Sequence, residues 1–251
     1  MTFVLDPNDP KLQPPYIVFL MPCYGGNITS ACFHSFLKFA EYAKDNGIEW
    51  EVFTHTHCSL ISLGRSIMIS QAVQDLPDWT HLMWVDADIQ WDPEDIMKLL
   101  IEDKDIIGGY YPCKTFPLIQ ASDPKARKGF EETDTLIETT YIATGFMLVK
   151  RQVCETMHEE YMPELKFYYG SETHRERRYV DLFAPFIDKE KNDLYLTEDY
   201  AFCERARKLG FKSWMSKRVK LGHVMGSWVF SEEAEQKMLN KYEAKEKIKL
   251  L

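Results

Sequence analysis

Between residues 16 and 112 one pattern recurs, a short apolar run followed by a turn and then by apolar residues at helical spacing. YIVFLMP at 16–22 reads as a first strand ended by Pro22, and the stretch 30–46 as a helix stopped by Gly47. IEWEVFTHTH at 48–57 follows as a strand, and SLGRSIMISQAVQDL at 62–76 as a helix opened by Ser62. HLMWV is the next strand, WDPEDIMKLLIEDK a helix capped by Asp92 with Pro93 in its first turn, and KDIIGGYYP a further strand. Such alternation folds into a mostly parallel sheet covered by helices, an α/β domain.

The later chain is less regular. The charged stretch 122–134 reads as an excursion, LIETTYIATGFMLVKR as extended chain broken by Gly145, and QVCETMHEEYM as a helix. Residues 169–183 carry too little apolar periodicity for a core element. TEDYAFCERARKLG has Thr197 as N-cap, carboxylates in its first turn and a glycine stop, all helix signals. FKSWMSKRVKLGHVMGSW reads as a short strand and a glycine-punctuated loop. The expected organisation is a single domain over 16–230, with an irregular lead-in at 1–15 and a mixed-charge helix over 231–251 packed on it.

At 251 residues the chain is long enough for one sizeable core. Its net charge of -9 opposes a phosphate backbone, so nucleic acid is not an expected partner, and an anionic ligand would need a local device such as a metal ion. Six scattered cysteines form no CxxC pair and read as reduced thiols. Neither a signal peptide nor a run of 18 apolar residues is visible, which points to a soluble, cytoplasmic protein without a transmembrane segment.

The feature with the most chemistry is WVDADI, where a buried strand ends in Asp86, Ala87 and Asp88. Unpaired burial of either carboxylate would be expensive, so the spacing calls for a loop at the sheet edge or a bound cation. Ligands of open α/β sheets bind outside the carboxyl ends of the strands, where this pair falls.

MPCYGG, LGRSIMISQA, WVDADI, YIATGFMLV, LTEDYAFCERARKLG and LGHVMG, in that order over roughly 16–228, resemble the GT-A (Rossmann-like) fold of nucleotide-sugar-dependent glycosyltransferases. The likeness is to family 2-like enzymes and to small viral or bacterial members, which for a viral chain would mean the host cytoplasm. The resemblance implies that Asp88 coordinates Mn2+ or Mg2+, with His223 as a further ligand and Asp86 reaching the ribose or a metal-bound water. It places Arg65 near the nucleotide or its diphosphate, Pro22, Cys23 and Tyr24 on the base side, and Thr144 and Gly145 near the donor sugar. Of the ED pair it makes Asp199 the base that deprotonates the acceptor, with Glu198 holding the loop or acceptor. The implied donor is a UDP-sugar, the acceptor a glycan or protein hydroxyl, and the outcome inversion.

Gly108, Gly109 and Tyr110 are candidates for a close backbone approach near the sugar, and Trp214 and Trp228 for acceptor platforms. Glycines suggest that 225–228 closes over the diphosphate, and the loop at 169–181 over the acceptor. His55 and His57 permit a metal pair on one strand face. Two rivals remain open. One is a noncatalytic nucleotide-sugar or glycan-binding module on the same scaffold. The other is an aspartyl phosphotransferase, disfavoured because Gln90 stands where a Ser or Thr is wanted.

Overall fold

The computed structural model describes residues 15–122, 129–169, 177–226 and 228–249, with side chains through residue 240. The expected lead-in at 1–15 and the middle of the charged excursion therefore lie almost wholly outside the described residues.

The first half follows the alternation: β1 (Tyr16–Cys23), α1 (Ser30–Asn46), β2 (Glu49–Thr56), α2 (Ile61–Asp75), β3 (His81–Val85), β4 (Ile89–Gln90), α3 (Pro93–Ile101) and β5 (Ile106–Tyr110). The Gly47 stop acts as expected, and α1 has a cap that the sequence reading did not name. The Thr29 hydroxyl accepts the Cys32 N–H at the start of α1, and Gly47 ends it in the left-handed region. The Asp95 carboxylate accepts the Asp92 N–H at the start of α3. At α2 the helix begins one residue before Ser62.

The second half comprises β6 (Leu136–Thr139), β7 (Phe146–Lys150), α4 (Arg151–Leu165), β8 (Lys166–Phe167), β9 (Tyr179–Val180), β10 (Phe186–Asp188), β11 (Leu194–Leu196) and α5 (Glu198–Lys208). It ends with β12 (Ser213–Lys220), β13 (Gly222–Met225), β14 (Trp228–Phe230) and α6 (Glu232–Lys249). α6 meets the rest of the chain through the Glu235 carboxylate, which accepts the Leu118 N–H at 3.1 Å, and through Glu232 paired with Lys220.

Seven strands form the central sheet in the order β2-β1-β3-β7-β5-β12-β6. It is mixed, which corrects the mostly parallel expectation. β1 is parallel to β2 and β3, and β5 to β12, but β7 runs antiparallel to both β3 and β5, and β6 antiparallel to β12. The cause is where the chain re-enters: Gly145 lies beside the end of β3, its carbonyl accepting the Asp86 N–H, so the strand it starts must run back down between β3 and β5.

The inner strands β1, β3, β7 and β5 are buried on both sides while the edge strand β2 is largely exposed, and alternate residues supply two cores. Ile17, Phe19, Met83, Val85 and Leu148 pack against α1 and α3, whereas Val18, Leu20, Leu82, Trp84 and Val149 pack against α2, α4 and α5. The arrangement is one α/β domain, helices on both faces, broadly GT-A-like.

Several other expectations are corrected. Val180, Leu182 and Phe183 are fully buried despite their weak periodicity. Two α2 hydroxyls hold this backbone, Ser70 accepting the Val180 N–H and Ser66 the Phe183 N–H, so packing here follows polar anchors that a hydropathy pattern does not display. The preceding 170–176, and with them most of the expected acceptor loop, lie outside the described residues. The expected loop after β12 is a hairpin, β13–β14, whose Met225 pairs with Trp228; Ser227 within the expected lid lies outside the described residues. Gly108 and Gly109 accommodate the core, because a Cβ at Gly109 would stand 2.3 Å from Val219. Trp214 is buried, with the Lys104 ammonium 4.4 Å from its ring centre, while Trp228 is exposed. His57 lies beyond β2 with positive φ, so it does not continue the strand face of His55.

Candidate functional site at the carboxyl edge of the sheet

The loop after β3 is fixed by its backbone before any ligand is considered. Ala87 O accepts both the N–H and the hydroxyl of Thr29, at 2.9 and 3.1 Å. Asp88 O accepts the Val224 N–H at 2.8 Å. The residue before α1, the residue before β7, and β13 therefore hold the backbone of residues 86–88. The short β4 completes the frame by pairing with β13, setting Gly222 opposite Gln90 and His223 opposite Ile89. That register brings an imidazole 135 positions further along the chain beside Asp88.

Each carboxylate meets a cation. Arg65, in the first turns of α2, lies 2.9 Å from the Asp86 carboxylate and is only 3% exposed, its guanidinium over the Trp84 ring. A buried guanidinium without a counter-charge would be strongly destabilising, so Asp86 anchors it. The Arg65 Nε and Nη1 nevertheless have no partner among the described residues. Asp88 Oδ2 accepts from the Lys114 ammonium, and Asp88 Oδ1 lies 3.4 Å from His223 Nε2. Burial pushes the Asp88 carboxyl up, but the hydrogen bonds from His223 and Lys114 outweigh it and hold the group below its ordinary range.

The tautomer of His223 follows from its other nitrogen. Nδ1 lies 2.8 Å from the Pro112 carbonyl, which can only accept, so Nδ1 carries a proton. In the neutral ring Nε2 then turns a lone pair toward a carboxylate oxygen. Two acceptors face each other stably only with a proton or a cation between them.

Asp88 and His223, a carboxylate oxygen and an imidazole nitrogen 3.4 Å apart, are donors that would hold a divalent ion. Among the described residues no group of three or more His, Cys, Asp or Glu side chains gathers as a metal cluster, so further ligands would come from a bound substrate or water.

At the opposite wall, Glu198 opens α5. Burial, then the charges of Asp199 and Asp86, raise its carboxyl above the ordinary value, with Arg65 acting against them. Asp199 Oδ1 accepts the Thr197 hydroxyl at 2.7 Å and the Tyr200 N–H at 2.9 Å. Behind Asp86, the Gly145 N–H donates to the buried Tyr111 hydroxyl at 2.9 Å. A Cβ at Gly145 would stand 2.4 Å from that hydroxyl and 3.1 Å from the Asp86 carboxylate, so only glycine fits without displacement.

These groups border one cleft of about 540 Å³. Of the residues expected from sequence, Pro22, Arg65, Asp86, Ala87 and Asp88 line it. So do Glu198 and His223. Cys23 instead points into the core, Tyr24 stands exposed beyond β1, and Thr144 is buried. Gly145 backs the Asp86 side chain, and Asp199 is not part of the lining.

Lys114, Asn27 and Thr29 line the cleft without having been expected. Thr29 had a signal, as a hydroxyl residue just before a helix. Lys114 had none, being one lysine in YYPCKTFP. A second cleft of about 350 Å³ lies beside Trp91 and is edged by Asp92, Asp95, Glu232 and Glu233, a setting that would repel an anion. The six cysteines are free thiols. Among the described residues no helix is long and apolar enough to cross a membrane.

No family model and no curated protein matches this sequence. Among solved structures the chain is similar to A197 from STIV, at 17% identity and a TM-score of 0.51, over 87% of this chain and 91% of that one. The catalytic domain of Drosophila beta1,4galactosyltransferase 7, in complex with xylobiose, is 13% identical with a TM-score of 0.47 over 84% of this chain and 71% of that one. GalNAc-T7, solved with UDP, GalNAc and Mn2+, is 13% identical with a TM-score of 0.46 over 86% of this chain and 44% of that one. At such identities the likeness to A197 speaks for the fold alone: this chain has a mixed α/β domain of the GT-A-like, Rossmann-like kind.

Proposed function

We propose that the chain is a metal-assisted glycosyltransferase that moves a sugar from a nucleoside-diphosphate sugar, UDP-linked in the first instance, to a glycan or protein hydroxyl with inversion. The observation that carries this reading is the convergence of Asp88 and His223 in the cleft at the sheet's carboxyl edge, with an imidazole nitrogen 3.4 Å from a carboxylate oxygen.

Asp88 and His223 would hold Mn2+ or Mg2+, with Asp86 at the ribose or a metal-bound water. The ion, when bound, would supply positive charge to the departing diphosphate. Arg65, pinned by Asp86, adds fixed positive charge at the same wall, and Pro22 borders the base side. The acceptor proton passes to the pair at the start of α5. The family resemblance gives that role to Asp199; Glu198 is the member that lines the cleft, and its raised pKa suits a base. Turnover by Glu198→Gln and Asp199→Asn separates them, since the base variant loses the larger factor, on the order of 10²–10⁴.

The donor site is tested by titration calorimetry with UDP, UMP, GDP and UDP-glucose, with Mn2+ present or chelated. The expected result is UDP binding that needs the metal and is lost in Asp88→Ala. Well-folded protein that binds no nucleotide with metal present would refute the reading.

The noncatalytic alternative keeps one observation in its favour, that Asp88 already carries the Lys114 ammonium. Metal-dependent UDP binding without hydrolysis or transfer to any acceptor would select it.

A further inference from the structure

Four of the charges in the cleft cancel pairwise. Arg65 neutralises Asp86, and Lys114 neutralises Asp88, so without a ligand these four side chains present no net charge to a diphosphate. The two pairs differ in how firmly they are held. Arg65 is enclosed at 4% side-chain exposure, whereas Lys114 is 29% exposed and belongs to the loop after β5 rather than to a helix or strand. A lysine is also a flexible point charge that can exchange one oxygen partner for another.

Resting on the glycosyltransferase reading, we propose that Lys114 is a charge-transfer clamp for the leaving group: it is parked on Asp88 in the free protein and moves to the diphosphate once donor and ion are bound. Two steps drive the exchange. Were Asp88 and His223 to hold a divalent ion, its charge would satisfy the carboxylate and Lys114 would leave the other oxygen. The released ammonium then faces a cleft that contains the diphosphate.

The reaction fixes when that charge is needed. The intact donor carries one negative charge on each phosphate, which the divalent ion balances. As the acceptor oxygen bonds to the anomeric carbon, the bond from that carbon to the phosphate oxygen breaks and its electron pair stays on the oxygen. The acceptor proton goes to a carboxylate at the start of α5. The departing nucleoside diphosphate thereby acquires a third negative charge at neutral pH, its terminal phosphate having a second pKa of about 6. Lys114 supplies the matching positive charge at the step where it develops, and so favours the transition state and UDP over the intact donor.

Three forms of the full chain test this: wild type, Lys114→Met and Lys114→Arg. Each is titrated with Mn2+ alone, then with UDP and with UDP-glucose in the presence of Mn2+, with thermal midpoints recorded to establish folding. In Lys114→Met, Mn2+ alone binds severalfold more tightly because Asp88 is released. UDP affinity falls about tenfold, the effect of one charge-assisted contact, while UDP-glucose affinity falls much less. Lys114→Arg restores the UDP preference.

Equal losses on UDP and UDP-glucose would overturn the clamp and leave the donor site standing. Unchanged Mn2+ affinity would overturn the parking on Asp88. A wild-type chain that binds Mn2+ but neither nucleotide would remove the donor reading, and this inference with it.

Discussion

On the α1 and α3 side of the sheet, Phe19 packs edge-on to Phe36 and Phe39 at 5.2 Å and against Trp50 and Trp91 at 5.9 Å, a closed group of rings. At the carboxyl edge of the same strands, Arg65 keeps two buried nitrogens without a partner among the described residues, and His223 turns a nitrogen toward a carboxylate. The first region holds the fold by apolar contact, although the buried Trp91 indole nitrogen has no hydrogen-bond partner among the described residues. The second has polar groups left over, and such incompleteness concentrates where a protein meets a ligand.

The largest effect that separates the regions comes from the rings. Phe19→Ala is expected to cost about 3–5 kcal/mol, read as a lower urea midpoint, because neighbouring strands and helices cannot collapse into the space. Asp86→Ala follows, at somewhat less than the ~3–5 kcal/mol of a fully buried pair, since the Asp86 side chain is 30% exposed. Here the comparison sharpens. The double variant Arg65→Met, Asp86→Leu should recover most of that stability, because apolar replacement of both partners of a buried pair is often neutral. It should not recover UDP binding. Recovery of both would show that the pair serves the fold alone.

Gly145→Ala comes next. The added methyl group meets the Tyr111 hydroxyl and the Asp86 carboxylate together, so a cost of about 1–3 kcal/mol is expected, with Mn2+-dependent UDP binding weakened. An alanine variant with unchanged urea midpoint and unchanged binding would show that this wall yields freely.

What was legible in the sequence divides along the same line. The apolar periods and caps of α1 and α3 report the ring side, because those signals are local. The loop at 86–88 was legible as chemistry, because two carboxylates at the end of a buried strand have few uses. The partners of that loop were not. Lys114 and the β13 register arise from pairings across the chain, and His223 could be nominated only through a family resemblance, since its position opposite Ile89 depends on a two-residue strand. β7 escaped for a related reason: an apolar run does not state its direction, and the direction here is set by the backbone bond between Asp86 and Gly145.

The smallest expected effect is a pH dependence confined to the cleft. The Glu198 carboxyl is raised above its unfolded value of 4.5, first by burial, then by the charges of Asp199 and Asp86, with Arg65 opposing them. A raised carboxyl favours the protonated form in the folded state. Its contribution to stability is therefore fully present below pH 4.5 and is lost as pH rises through the folded pKa. Glu198→Gln should accordingly match the wild type near pH 4 and become the more stable of the two toward pH 7. Asp199→Asn removes one of the two like charges and should narrow that gap. Phe19→Ala, with no charge among its ring partners, should show the same loss at pH 5 and at pH 8. Parallel wild-type and Glu198→Gln stability curves between pH 4 and pH 7 would mean that the carboxylate is solvated in the folded chain, and that it is no better placed than Asp199 to take a proton in the cleft.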